Sequence, residues 1–384
     1  MSHRIVRTCH RVGSTALLLV VAACGGGGSG GSGGEAPPPV AELGTPTYIG
    51  GFPSYAASGY LDGDGHLDAV VADGATAQVR VLLGNGDGTF TSVAPVGFGL
   101  SASLRQVALG YFDVDPYLDL AVLDDANKLH AFLGLGDGTF APSPGGITDF
   151  APSAVEDMTS GDFDEDGLDD IAVTTSVGVF VMLCNGNGSF AKTAASPITV
   201  GSSPSSIATG FMSNVHDDLL VGDGTDNTVT QLYGNGMGDF FLGTSAVVTA
   251  PNAIRIASSR TYVLTSALVG SRLHVLQFTG GQLQDMPGSP VTFPEHVGLD
   301  LQVVRSSVFE RSLIATLFKN PDVTGLLVQV DLDAIGAPLD VTELGTSETP
   351  WLRGCSGDFV EGDPAEDAAF TLPYVGEIRV TTPR

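Results

Sequence analysis

The chain has 384 residues, and 43 acidic side chains against 16 basic ones give it a formal charge of −27 at pH 7. That balance argues against nucleic acid and anionic lipid headgroups as partners, because an acidic surface repels both. The seven histidines show no His-Glu-x-x-His spacing, and neither Gly-x-Ser-x-Gly nor a phosphate loop occurs. Catalysis therefore stays open only as a site assembled from distant segments, which leaves no motif.

In chain order, residues 1–23 read as an export signal. Arg4, Arg7 and Arg11 precede the apolar run from Ala16 to Val21, which is too short to span a bilayer. The run ends in Val21-Ala-Ala-Cys24, which resembles the lipobox of bacterial lipoproteins. That resemblance implies cleavage before Cys24, acylation of its thiol and a lipid tether to the membrane. Gly25, where Asp is absent, points to the outer membrane. The alternative is an ordinary secretory signal with an incidental cysteine. Residues 24–44 form a linker, with a flexible Gly/Ser coil from Gly25 to Gly34 and a stiffer proline stretch after Glu35. Residues 45–384 form the folded domain.

The glycine that opens an acidic loop recurs at Gly59, Gly110, Gly161 and Gly210. Periods of this size mean propellers or solenoids. Carrying the period forward places units near residues 258 and 307 and a recognisable one at Gly357-Asp-Phe359, which makes seven. Each well-kept unit has a strand before the loop (Gln106 to Leu109), then the loop, then two strands (Ala69 to Ala72 and Val79 to Leu83 in the first unit). A hairpin signal follows, Gly84-Asn-Gly-Asp-Gly-Thr-Phe90, repeated at 134–140, 184–190 and 234–240. Its Gly and Asn supply the positive φ angles of such turns, and the Phe starts an outer strand. Four antiparallel strands per unit make one propeller blade.

Units five and six have lost the acids but keep strand pairs, Tyr262–Thr265 with Arg272–Leu276 and Leu313–Leu317 with Leu326–Val330. Unit seven ends at Glu377–Thr381 without an outer strand, and Pro46–Ile49 is predicted to supply it. The expected fold is all-β, a seven-bladed β-propeller of four-stranded antiparallel blades whose termini close one blade.

The loop of unit three, Gly161-Asp-Phe-Asp-Glu-Asp-Gly-Leu-Asp-Asp170, sets Asp162, Asp164, Asp166 and Asp170 at positions one, three, five and nine. Alternate carboxylates of a tight turn converge, and a hard cation such as Ca²⁺ takes six to eight oxygens in irregular geometry. Unit one has Tyr60 at position one but keeps Asp62, Asp64 and Asp68. Unit two has Tyr111 there, keeps Asp113, Asp115 and Asp119, and replaces the bend glycine with Pro116. Both are expected to bind more weakly. Unit seven offers Asp358, Asp363 and Asp367, while unit four lacks the ligands and should stay empty. The competing reading for every loop is a solvated turn whose Asp side chains cap their own backbone.

The pattern Gly-Asp-Phe-Asp-x-Asp-Gly-x-x-Asp, an aliphatic strand, then Leu-Gly-Asn-Gly-x-Gly-Thr-Phe resembles the FG-GAP/VCBS repeats. The same blade type builds the propeller of integrin alpha subunits. The resemblance implies structural Ca²⁺ in about three of the acidic loops, blade three foremost, with the backbone carbonyls of Leu168, His66 and Tyr117 completing the ligand sets. It implies no single function. The leading expectation is a monomeric, non-enzymatic binding or adhesion module on the cell surface, for a protein or a glycan. The alternatives are a structural or assembly lipoprotein of the envelope and a propeller enzyme acting on carbohydrate. Trp351 is the only Trp, which weakens a lectin built on stacked indoles. Cys184 and Cys355 fall at different places in distant repeats and read as small packing residues.

Overall fold

The computed structural model describes residues 7–8, 47–93, 99–100, 103–212, 216–257, 260–265, 270–279, 282–304, 312–319, 324–332, 338–347, 354–357, 367–372 and 377–381. Among these residues every regular element is a β-strand, and they form antiparallel sheets that act as the blades of a propeller. Blade one is Pro53–Gly59, Asp68–Asp73, Gln78–Gly84 and Phe90–Ser92. Blade two is Leu104–Gly110, Asp119–Asp124, Lys128–Gly134 and Phe140–Asp149. Blade three is Val155–Gly161, Asp170–Thr175, Gly178–Cys184 and Phe190–Lys192. Blade four is Pro204–Gly210, Asp218–Asp223, Thr228–Gly234 and Phe240–Val247.

The sheets without full acidic loops follow the same order. One comprises Pro251–Ala257, Arg260–Thr265 and Ser271–Thr279, with Gln282–Asp285 and Val291–Phe293 both pairing the third strand. The next is His296–Val304, Ser312–Lys319, Thr324–Leu332 and Pro338–Ser347. The last joins Gly354–Gly357, Asp367–Leu372 and Glu377–Thr381 to Thr47–Tyr48. Thr47 lies opposite Ile378 and Tyr48 opposite Glu377, so a strand from before blade one completes the C-terminal sheet, as the missing outer strand required. The expected strand pairs of units five and six also form. A further pair, Arg7–Thr8, lies antiparallel to Pro53–Gly59, with Arg7 opposite Ser58.

The first strand of each sheet packs on the first strand of the next, and Gly354–Gly357 returns to Pro53–Gly59. This placement dictates the burial. The second strands of blades one to four are buried at every residue, since each has a neighbouring blade on both faces. Their apolar, largely branched runs, such as Ala69-Val-Val-Ala72, suit a strand covered on both sides. The outer strand Phe90–Ser92, by contrast, buries only its Phe.

Polar side chains also join neighbouring blades near the inner strands. Gln106 Nε2 donates to Tyr55 Oη at 2.9 Å and to the Met158 carbonyl at 2.7 Å. Asp157 accepts the Ile207 amide at 2.9 Å. All five residues lack solvent exposure, so each bond meets a group that would otherwise be buried unsatisfied.

Candidate metal centre and loop face

The loop between strands one and two and the hairpin between strands three and four leave each blade on the same side. Within a blade they are joined by the ninth loop residue. Asp68 accepts the Leu61 amide at 2.7 Å and the Gly84 amide at 2.8 Å, one on each oxygen. Asp119 does the same with Phe112 and Gly134, and Asp170 with Phe163 and Cys184. In the one-residue-shorter loop of blade four the equivalent is the eighth residue, Asp218, which keeps the bond to Gly234 and takes Gln231 Nε2 on its other oxygen. These carboxylates clamp the loop to the hairpin, a role the sequence spacing alone did not distinguish from ligation. Burial pushes Asp68 up to about 6 and Asp119 and Asp170 up to about 7, against the lowering effect of the two amides.

The second residue of each loop reaches the next blade. The Leu61, Phe112 and Phe163 carbonyls accept the amides of Gly138, Gly188 and Gly238 from the following hairpin, at 2.8–3.0 Å. The Phe112 ring meets Phe190 edge-on at 5.2 Å between centroids, and Phe163 meets Phe240 at 5.3 Å. The Gly-Asp-Phe-Asp and Gly-x-Phe signatures are thus two halves of one joint between consecutive blades. At Gly84 a Cβ would fall 2.2 Å from the Leu67 carbonyl oxygen, so a side chain there requires that carbonyl to shift. In blade three Cys184 takes that position, and its buried, free thiol lies 3.1 Å from the Phe112 carbonyl. Burial pushes the thiol up to about 11, so it acts as a packing group, as expected.

Blade three alone among the described loops gathers three carboxylates. Asp162, Asp164 and Asp166 each place an oxygen within 4.8 Å of the others. Glu165 and Gly167 take φ of 59° and 93°, which turns the intervening carboxylates to one point. Asp162 Oδ1 and Asp164 Oδ1 are buried with no hydrogen-bond partner. Burial and then the neighbouring acids raise Asp162, and burial and then Asp166 raise Asp164. Orphaned, crowded carboxylate oxygens are what a cation would satisfy, so the donor set fits Ca²⁺. Within the loop, Gly167 donates its amide to Asp162 Oδ2 at 3.0 Å and Leu168 to Asp166 Oδ1 at 2.9 Å.

In blade one, Gly63 and Gly65 provide the same bend, at φ of 76° and 97°, but Tyr60 leaves the first position without a carboxylate. Asp62 caps the Asp64 amide and Asp64 caps the His66 amide. In blade two Asp113 caps Asp115 and Asp115 caps Tyr117, at 2.8 Å each. Pro116 cannot adopt the positive φ that Gly65 and Gly167 use. Both loops thus show the self-capping arrangement weighed against calcium from the sequence. Asp358 and Asp363 of unit seven lie outside the described residues, as do the Asp367 side chain, Cys24, most of residues 1–44 and Trp351.

The blade three loop also touches blade four through its other residues. Glu165 Oε1 meets His216 Nδ1 at 2.5 Å. Asp217 is pushed up to about 7 by burial and then by Asp169, Asp162, Asp218 and Glu165. Exposed apolar residues stud the same side, among them Tyr60, Val114, Tyr117, Leu135, Phe211 and Met237. Sequence reading noted Tyr60 only as a lost ligand and passed over Phe211, although an aromatic residue at position one of the loop was the available signal.

The blades and their acidic loops define a β-propeller with acidic-loop repeats. Two overlapping FG-GAP-like repeats match at residues 61–122 and 111–173, so over this stretch the β-propeller is built on FG-GAP-like repeats. No curated protein matches it in sequence. Among solved structures, it is similar to BBS1N crystallised with ARL6DN, with a TM-score of 0.62 and 14% identity over 90% of this chain and 96% of that one. A protein from Lactobacillus plantarum matches with a TM-score of 0.53 and 14% identity over 78% and 85%. An Agrocybe aegerita lectin that recognises non-reducing terminal N-acetylglucosamine matches with a TM-score of 0.52 and 18% identity over 77% and 81%. At these identities the likeness is one of fold.

Proposed function

We propose that this chain is a calcium-stabilised, non-enzymatic binding module, a seven-bladed propeller carried at the cell surface on a lipid attached to Cys24. The observation that carries the calcium reading is the convergence of Asp162, Asp164 and Asp166 around oxygens that lack partners. Those three side chains would hold the ion with the Leu168 carbonyl. Asp170, the fourth carboxylate of the sequence pattern, stands outside this group and accepts a backbone amide on each oxygen, so its part is to anchor the loop. Asp62, Asp64, His66 and Asp68, and likewise Asp113, Asp115, Tyr117 and Asp119, form weaker candidates because Tyr60 and Tyr111 replace the first carboxylate of their loops.

The ion's role is structural in this reading. It fixes a loop whose even residues, Phe163 and Glu165, hold blade four. Binding is supported by the interlocked scaffold, which presents exposed aromatic residues on short, braced loops. Lipid anchoring rests on the Val21-Ala-Ala-Cys24 motif. Metabolic labelling with a clickable fatty acid in a bacterial host tests it, since Cys24→Ser should abolish the label. A Cys24→Ser chain that still carries lipid would refute the anchor.

A further inference from the structure

Each first strand hands the chain to its loop beside the propeller axis. In blade three that place belongs to Asp162, whereas in blades one, two and four it belongs to Tyr60, Tyr111 and Phe211. Each aromatic residue removes a carboxylate from its own loop. Tyr60 is 45% exposed and Phe211 60% exposed, while Tyr111 is half-buried against the core. Val114, Leu135 and Met237 stand exposed on the same side. An aromatic ring presents a negative face that attracts ammonium and guanidinium groups.

Apart from Arg7, which lies opposite Ser58 and belongs to the segment read as an export signal, charge on this side is one-signed. The loops 60–67, 111–118, 162–169 and 211–217 and the hairpins 85–89, 135–139, 185–189 and 235–239 contain no Lys or Arg, and several contain Asp or Glu. The basic residues of blades one to four are elsewhere. Arg80 pairs with Asp73 and Arg105 with Asp125, at the ends of strands that open on the opposite side. Lys128 begins a third strand there, and Lys192 lies over the Phe150 and Phe180 rings. An uncharged sugar could stack on the rings but would gain nothing from this segregation, and an anion would be repelled.

We propose that the loop face of blades one to four binds an extended, Lys- or Arg-bearing segment of a partner protein, with the basic side chains over Tyr60, Tyr111 and Phe211 and flanked by loop carboxylates. The proposal rests on the binding-module reading and names the chemistry of its partner. Aromatic contact supplies selectivity, and the surrounding acids supply attraction that salt weakens.

The test uses the full chain in about 1 mM Ca²⁺, a level suited to extracellular sites, with fluorescein-labelled octalysine and octaglutamine peptides read by anisotropy. Octalysine should bind and octaglutamine should not. The double variant Tyr60→Ala/Phe211→Ala should weaken octalysine binding on the order of tenfold, while Val177→Ala, exposed at a turn on the opposite side, should leave it unchanged. Equal binding by the double variant would overturn the proposal, because diffuse charge alone would then explain the affinity. Chitotriose forms a separate arm. If it binds through Tyr60 and Phe211 while octalysine does not, the cationic occupant is refuted and the binding-module reading survives. If neither binds, the cationic occupant is refuted and this face no longer supports a binding role.

Discussion

The loops of blades two and three have the same length and share their Asp residues at positions three, five and nine, yet they end in different chemistry. In blade three Asp162 supplies a third converging carboxylate, and positive φ at Glu165 and Gly167 turns the acids inward. In blade two Tyr111 removes that carboxylate, Pro116 forbids the bend, and Asp113 and Asp115 cap their own amides. Both loops keep the clamp at position nine and the joint to the next blade. Joining blades and collecting carboxylates are therefore separable properties of one motif, and only the second depends on positions one and six.

The largest effect should come from the shared joint. Phe163 is 2% exposed and packs on Phe240, so Phe163→Ala should cost about 3–5 kcal/mol in urea unfolding. Phe211→Ala, at an exposed ring, should change stability by less than about 0.5 kcal/mol. Comparable losses at both positions would break the assignment of the joint.

Next comes the clamp. Asp170→Ala leaves the buried Phe163 and Cys184 amides without acceptors, at about 1–3 kcal/mol for each group. The same substitution at Asp119 should cost about as much, since the clamp does not depend on the metal. If only Asp170→Ala destabilises the protein, and only in calcium, the clamp is instead a ligand.

A gain of function sharpens the comparison further. Blade one already has the glycine bend, so Tyr60→Asp should complete a carboxylate cluster and add a calcium equivalent in equilibrium dialysis. Tyr111→Asp should add none while Pro116 remains. An added ion in the blade two variant, or none in blade one, would contradict the roles given to positions one and six.

The pH dependence separates the two sides of the blades. Asp170, Asp119 and Asp68 are raised by burial, so their contribution is fully present below the unfolded carboxylate value near 4 and is lost as pH rises towards about 7. In chelator, stability should therefore fall across that window, and calcium should flatten the part due to blade three by favouring the ionised form. On the opposite side, Asp73 and Asp223 cap turns through several hydrogen bonds and, although burial opposes it, are held below the usual range by those bonds. Their contribution is present above the unfolded value and is lost as pH falls through the depressed one. A chelated protein that gains stability from pH 4 to 7 would refute the loop account.

The repeat, its four strands and the closing strand at Thr47–Tyr48 were legible because each obeys a local pattern recurring at one period. Even the sheets that lost their acids kept readable strands, as at Leu313–Leu317. The joints were not legible, because Phe163 and Phe240 belong to different copies and no motif within one copy states that they touch. The clamp made by Asp170 was hidden for a similar reason, since ligation and amide clamping demand the same residue at the same spacing. The turn caps at Asp73 and Asp223 were not legible because the amides they accept, such as those of Phe52 and Ser203, lie 21 and 20 residues away, and a lone Asp at a strand end carries no sign of them.

The central claim is that blade three holds a structural calcium ion through Asp162, Asp164 and Asp166. Thermal melts in calcium and in chelator, on the wild-type chain, Asp166→Ala and Asp115→Ala, test it most directly. With free Ca²⁺ at about 1 mM and a Kd of roughly 10⁻⁴ to 10⁻³ M, one site stabilises by roughly 0.4–1.4 kcal/mol. The account predicts that calcium raises the melting temperature of the wild type and of Asp115→Ala alike, and that Asp166→Ala loses most of that rise. A calcium response that survives in Asp166→Ala, or that is absent from the wild type, would contradict it.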